Sequence, residues 1–162
     1  EASIYGVPQY RKRLFILGSR DGEFNASIPL QPKLERTIDH IFDVDSNCSN
    51  NETRQHVAQS VQRYMYMKYG EREKLGRVDR LDPFKPSKTI IAGGSGGGGR
   101  SHLHPIIPRT LSPRECARLQ TFPDDFKFCG SNARQFNQIG NAVPPLLAAQ
   151  IAEHLVRPLF NK

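Results

Sequence analysis

Three stretches of the 162-residue chain carry side chains whose types and spacing could do chemistry. The first is Tyr5-Gly6-Val7-Pro8-Gln9-Tyr10-Arg11-Lys12-Arg13. After Pro8 the backbone should be extended, so Gln9, Arg11 and Arg13 fall on one side of it. Two guanidiniums that never lose their protons suit an anion or a developing negative charge. On residue type alone, pairing with acidic neighbours is the plainer reading. The second stretch runs from Arg109 to Pro123 and includes Arg114, Glu115, Cys116 and Arg118. The third is Gln138-Ile139-Gly140-Asn141-Ala142-Val143-Pro144-Pro145. There Asn141 stands just ahead of an expected helix start, with Gly140 allowing a tight turn. Free N–H groups and the dipole at a helix start favour a polar ligand, and a simple helix cap is the alternative reading of Asn141. Cys48, Cys116 and Cys129 are odd in number, widely spaced and without C-x-x-C pairing, so neither a disulfide scaffold nor a cysteine zinc site is expected.

The elements that must position these groups follow from local patterns. Leu14–Gly18 is a short apolar run closed by Arg20-Asp21-Gly22, and reads as a strand buried on both faces. Residues 34–44 read as a short amphipathic helix with Leu34, Ile38, Ile41 and Phe42 on one face. The polar run Ser46–Asn51 marks a boundary. Ser49 and Glu52 have capping-box spacing for a helix whose stripe is Val57, Val61, Tyr64, Met65 and Tyr69, stopping at Gly70; core packing is the better reading of that stripe. A second strand is expected at Ser87–Ala92, with Ile90 and Ile91 on opposite faces. It leads into Gly93–Gly99, a loop with the composition of a linker and without a phosphate-loop ending. Ser112, Pro113 and Glu115 open the best-marked helix, with Leu111 and Cys116 as a staple pair. A last helix begins near Pro144-Pro145, with Val143, Leu147, Ile151 and Leu155 as its stripe.

The formal charge is +7 and the pI near 9.6. Between Arg54 and Arg118 there are thirteen basic and five acidic residues, whereas the flanks hold ten and eleven. The basic centre is interleaved with Tyr64, Tyr66, Tyr69, His102 and His104, which puts a nucleic-acid partner slightly ahead of a solvated face. No apolar run is long enough for a bilayer span, and Glu1–Arg13 has no signal-peptide core.

Taken in order, the three stretches resemble the C-terminal third or so of the DNA (cytosine-5) methyltransferase family, from its eighth to its tenth motif. Thr89-Ile90 is similar to the threonine–aliphatic signature of that family's target recognition region. The resemblance implies an α/β fold: the edge of a doubly wound S-adenosylmethionine-dependent methyltransferase sheet plus a small mixed target recognition domain. It implies residues 1–44 as a piece of the catalytic sheet, 45–130 as the recognition domain with its bracing motif, and 131–162 as the segment returning to the catalytic domain. The partner implied is double-stranded DNA with a flipped cytosine. Arg13 would face O2 of that base, with Arg11 on the nucleotide backbone and Gln9 holding the geometry. Asn141 and the backbone at Ala142 would lie against S-adenosylmethionine. Thr89, Ile90, Arg100 and Arg109 would meet DNA, while Arg114 and Glu115 would be structural first.

The family's Phe-x-Gly-x-Gly cofactor loop, its Pro-Cys nucleophile motif and its Glu-Asn-Val motif are all missing from this sequence. The expectation is therefore a C-terminal portion, inactive without an upstream nucleophile-bearing half on the same chain or a separate subunit. Glu1 in place of an initiator Met favours the fragment. A bacterial restriction–modification enzyme, cytoplasmic and associated with the nucleoid, is the setting implied. Rivals are a non-catalytic DNA-binding protein, the recognition subunit of a split methyltransferase and, ranked low, a transfer-RNA methyltransferase.

Overall fold

In the computed structural model, residues 1–18, 20, 27–30, 34–73, 78–92 and 102–159 are described. The elements are a 3₁₀ turn at Ala2–Tyr5, α1 (Ile38–Ile41), α2 (Ala58–Tyr66), β1 (Asp79–Arg80), β2 (His102–Leu103), α3 (Pro113–Leu119), α4 (Asn132–Asn141) and α5 (Pro145–Ile151). A π-helical turn, Ala152–Val156, and a 3₁₀ turn, Arg157–Leu159, prolong α5. β1 and β2 pair in parallel, Asp79 with His102 and Arg80 with Leu103. The described residues thus form a mixed assembly of helix and strand.

The capping signals around Ser112 act as written. Ser112 Oγ accepts from Glu115 N–H, the Glu115 carboxylate accepts from Ser112 N–H, and Pro113 occupies the first turn. Leu111, Cys116 and Leu119 from this region join Ile41, Leu81, Ile90, Phe136 and Ile139 in the main core. Burial pushes the Cys116 thiol up, as befits a packing residue. A second core gathers Tyr64, Met67, Val78 and Leu103. A third packs Leu147 of α5 on Ala2 and Val7.

Several expected elements take another form. Leu14–Gly18 forms no strand and pairs with none among the described residues. Leu14 and Ile16 are 86% and 88% exposed on one side, Phe15 and Leu17 41% and 43% on the other. The run has the pattern of a buried strand, but among the described residues no strand flanks it. Ser87–Ala92 makes one parallel bridge, Gln9 with Ser87, instead of a strand. Its backbone groups are met by side chains: Gln9 takes the Ile90 N–H, Arg11 the Ile90 carbonyl and His102 the Thr89 carbonyl. The opposite facing of Ile90, fully buried, and Ile91, exposed, is as expected.

The helix expected after Ser49 starts only at Ala58. Ser49 and Asn50 are occupied elsewhere, because the Ser49 carbonyl accepts from Arg114 Nε and the Asn50 carbonyl from Arg114 N–H. On α2 only Tyr64 of the expected stripe is fully buried, while Val57, Met65 and Tyr69 are exposed. The helix in residues 34–44 shrinks to one turn that buries Ile41 and leaves Phe42 exposed. α4 has no counterpart among the expected elements.

Candidate functional site

The three motif stretches meet at one buried polar node. Tyr10 N–H donates to the Ser87 carbonyl at 2.8 Å and Ser87 N–H to the Pro8 carbonyl at 2.9 Å, which holds residues 8–11 extended along residues 87–90. From that segment Gln9, fully buried, uses both ends of its amide. Its Oε1 accepts from Ile90 N–H at 2.9 Å, and its Nε2 donates to the Leu119 carbonyl and to Gln120 Oε1. Gln120 Nε2 in turn donates to the Ile139 carbonyl at 2.8 Å. One pair of carboxamides therefore links the first stretch, residues 87–90, the end of α3 and α4.

Arg11 adds a second link. It is 2% exposed, and its guanidinium donates to the carbonyls of Ile90 (2.9 Å), Gly140 (2.8 Å) and Ala142 (3.0 Å). Burial, and secondarily the charge of Arg13, lowers its pKa to about 10, so it stays charged at neutral pH. The expected contact of Arg11 with a nucleotide backbone gives way to this internal clamp, since its Nη donors already face protein carbonyls. Two residues on, Arg13 is exposed and its Nη1 rests on the Lys12 carbonyl. Arg13 lines a cavity of about 140 Å³ with Phe15, Leu147 and Ile151.

Gly140 has a different reason from a tight turn. A Cβ placed on it would stand 2.2 Å from Ala92 N and 2.5 Å from Ile91 C, so glycine lets the end of α4 press on residues 91–92. Asn141 is the last residue of α4 and not a cap of α5, whose cap is Pro144. Its side chain is exposed. The backbone at Ala142 is engaged at both groups, its N–H with the Ile139 carbonyl and its own carbonyl with Arg11. Asn141 thus has the exposure a cofactor contact needs, and the Ala142 backbone does not.

The residues expected at DNA separate. Ile90 is fully buried in the main core and presents no side chain to a ligand. Thr89 Oγ1 donates to the Tyr10 carbonyl at 2.6 Å. Both Nη atoms of Arg109 reach the Glu115 carboxylate, at 2.8 and 2.7 Å, so this side chain braces the start of α3. Arg100 and the glycine loop Gly93–Gly99 lie outside the described residues.

Other members of the basic centre are also spent internally. Arg114, fully buried, reaches the carbonyls of Ser49, Pro123 and Phe126, in keeping with its structural reading. Arg80, which the sequence offered only as a charge, reaches the carbonyls of Tyr64, Met67 and Pro105. Arg118 forks onto Asp124 and also meets Asp43, and this partner holds the Asp124 carboxyl below its usual range. Burial lowers the pKa of His56, His102 and His104. No cluster of metal-ligating side chains occurs among the described residues, and none of their helices is long and apolar enough to cross a membrane.

Comparison with known proteins agrees with this convergence of motifs. The family described as C-5 cytosine-specific DNA methylase matches residues 1–157. The type II methyltransferase M.BbvI of Brevibacillus brevis is 34% identical over 94% of this chain and 46% of its own length. M.NgoFVII of Neisseria gonorrhoeae is 34% identical over 97% of this chain and 48% of its own. The chain thus spans a little under half the length of these relatives. The DNA (cytosine-5-)-methyltransferase M.ApeKI of Aeropyrum pernix is 50% identical over 49% of the chain and 17% of its own length. A solved structure described as a DNA modification methyltransferase encoded within an E. coli prophage superposes with a TM-score of 0.68 over 99% of this chain and 59% of that one, at 23% identity. That likeness extends the α/β methyltransferase fold to this chain, and the sequence matches make it a member of the C-5 cytosine-specific DNA methylase family.

Proposed function

We propose that this chain is the C-terminal portion of a DNA cytosine-5 methyltransferase and is inactive without an upstream, nucleophile-bearing half. It contributes target recognition, the base-facing Arg13 and one wall of the cofactor site. The observation that carries this reading is the run Leu14–Leu17, a strand-patterned apolar segment that no strand flanks among the described residues, with Leu14 and Ile16 almost wholly exposed and Phe15 and Leu17 partly so. A segment of that pattern is stable when flanked by other strands, and a methyltransferase sheet supplied from elsewhere would provide them. None of Cys48, Cys116 and Cys129 follows a proline, so the thiolate that must add to cytosine C6 comes from that other half.

Within this reading the residues divide the work. Gln9 and Arg11 hold the extended segment rigid through their buried contacts, so that Arg13 projects from a fixed base. Its guanidinium lies opposite O2 of a cytosine turned out of the duplex, where negative charge gathers as the ring is attacked. Asn141 lies against S-adenosylmethionine, which supplies the methyl group when bound. Residues 1–44 and 131–162 belong with the catalytic sheet, and 45–130 with recognition of double-stranded DNA.

Methyl transfer from labelled S-adenosylmethionine to DNA tests the reading. The chain alone should give none. Mixed with a polypeptide carrying the Phe-x-Gly-x-Gly, Pro-Cys and Glu-Asn-Val motifs it should gain activity, which Arg13→Ala should remove. Turnover by the chain alone would overturn the dependence on a second half. Restored activity that ignores Arg13→Ala would overturn the assignment of the O2 contact.

A further inference from the structure

Ile90 is buried and Arg109 is committed to Glu115, which leaves room for a further polar surface in contact with DNA. α2 offers one. From Thr53 to Gly70 the chain has no aspartate or glutamate, and it carries Arg54, Arg63 and Lys68. Helical periodicity turns Val61 and Tyr64 inward, where Tyr64 packs with Met67, Val78 and Leu103. The opposite ridge, at i, i+3, i+4 and i+7, is Gln59, Gln62, Arg63 and Tyr66. All four are exposed, Tyr66 to 81%. Arg63 rests against Ser60 Oγ at 3.2 Å and lies 3.5 Å from Glu73.

We propose that the outward ridge of α2 lies against duplex DNA. Arg63 faces phosphate, and the amides of Gln59 and Gln62 face base edges. The inference rests on the DNA-modifying role proposed above. A solvated helix face ordinarily mixes both signs of charge, whereas this ridge carries one cation, Arg63, among neutral hydrogen-bonding groups, and the neighbouring Glu73 side chain is largely buried. A protein-docking face would place apolar side chains at its centre, whereas here exposed Met65 lies at the flank. An α-helix fits the major groove, and a carboxamide can pair with an adenine edge there.

Fluorescence anisotropy of a labelled duplex of about 30 base pairs, titrated with the full chain from ~50 to ~200 mM salt, tests this. The double variant Gln59→Glu/Gln62→Glu should bind about tenfold more weakly at low salt. Arg63→Ala should reduce the slope of log affinity against log salt by about 0.9. Ala133→Glu, on the exposed side of α4, should bind as the parent does. Circular dichroism and melting show that each variant is folded. Should Arg63→Ala melt early because Glu73 has lost its partner, the glutamine variants decide the matter. Parental affinity and slope in the double glutamate variant would overturn the α2 surface and leave the DNA reading standing. Equal weakening by Ala133→Glu would overturn its location on α2. A parent chain that binds no duplex at low salt would overturn both readings.

Discussion

Residues 9–11 and 14–17 are neighbours on one extended segment, and they are finished in opposite ways. In the first, polar side chains are buried and nearly every donor and acceptor has a partner: Gln9 meets Ile90, Leu119 and Gln120, and Arg11 meets Ile90, Gly140 and Ala142. In the second, apolar side chains face outward on both sides. Burying polar groups is favourable only when they are hydrogen-bonded, and exposing a contiguous apolar run marks an interaction surface. The first region is therefore satisfied by partners within the chain, while the second is left exposed among the described residues. Substitutions should register strongly in thermal stability on one side of this divide and barely on the other.

The largest effect belongs to Gly140→Ala. Its Cβ would meet backbone, not a flexible side chain, so α4 and residues 91–92 must part. The expected cost is ~3–5 kcal/mol, above the usual overpacking penalty of about 1–3 kcal/mol because the clash is with backbone that cannot rotate away. Thermal unfolding should show a melting point lower by roughly 10 °C. A melting point within a degree or two of the parent would mean that the node is not closed as described.

Arg11→Met comes next. It removes the donors that serve the Ile90 and Gly140 carbonyls while keeping much of the side-chain volume. The expected loss is about 2–3 kcal/mol, the range for buried carbonyls left unpaired. Arg11→Lys should fall between parent and Arg11→Met, because a single ammonium cannot span the same carbonyls as a planar fork. Equal melting points for the lysine and methionine variants would show that the fork geometry is irrelevant.

This half of the molecule was only partly legible in the sequence. Ser112, Pro113 and Glu115 announce α3 because capping is local chemistry among residues three apart. α5 was readable from a different local signal, the start at Pro144-Pro145 and the i, i+4 spacing of Leu147, Ile151 and Leu155. α4 was not, because it buries only Phe136, Ile139 and Gly140, has no capping side chain and carries that glycine in its last turn. The buried arginines were hidden by their acceptors. Arg11, Arg80 and Arg114 bind backbone carbonyls, which every residue possesses, so no sequence pattern separates a carbonyl clamp from a phosphate contact. Cationic side chains therefore overstated the free charge of the centre. Leu14–Leu17 shows a related limit, since an apolar run declares a preference for burial without saying which chain provides it.

Acid should loosen the complete half before the unfinished one. His104 Nδ1 accepts from the N–H groups of Ile106 and Ile107, and His56 Nε2 accepts from Thr110 N–H, so both atoms must be bare. His102 donates through Nε2 to the Thr89 carbonyl and is also buried. Burial depresses all three pKa values, with Arg109 opposing protonation of His56 and His104 while Glu115 favours it at His104. A base with a depressed native pKa is neutral in both states above its unfolded value near 6.5, and there its contribution is intact. As pH falls below about 6.5 the unfolded chain takes up protons first, and stability declines. Urea midpoints between pH 7.5 and pH 5 should therefore fall with acid. His104→Gln should flatten that fall at some cost to stability at neutral pH, and midpoints independent of pH would contradict the neutral, buried histidines.

The smallest effect on stability is expected for Leu14→Lys/Ile16→Lys, and it bears most directly on the unfinished half. Both side chains are almost wholly exposed, so the change should leave the melting point of the chain within about 0.5 kcal/mol of the parent. Two effects should nevertheless appear. Sedimentation velocity should show less self-association at high concentration, because lysines on an exposed edge discourage pairing with another chain. Methyl transfer restored by an upstream half should be lost, since two ammonium groups would have to enter the interior of the joined sheet. A drop of several degrees in the chain alone would instead place Leu14 and Ile16 inside its own core. Undiminished restored activity would show that the upstream half docks elsewhere, and Leu14–Leu17 would then need a different cover.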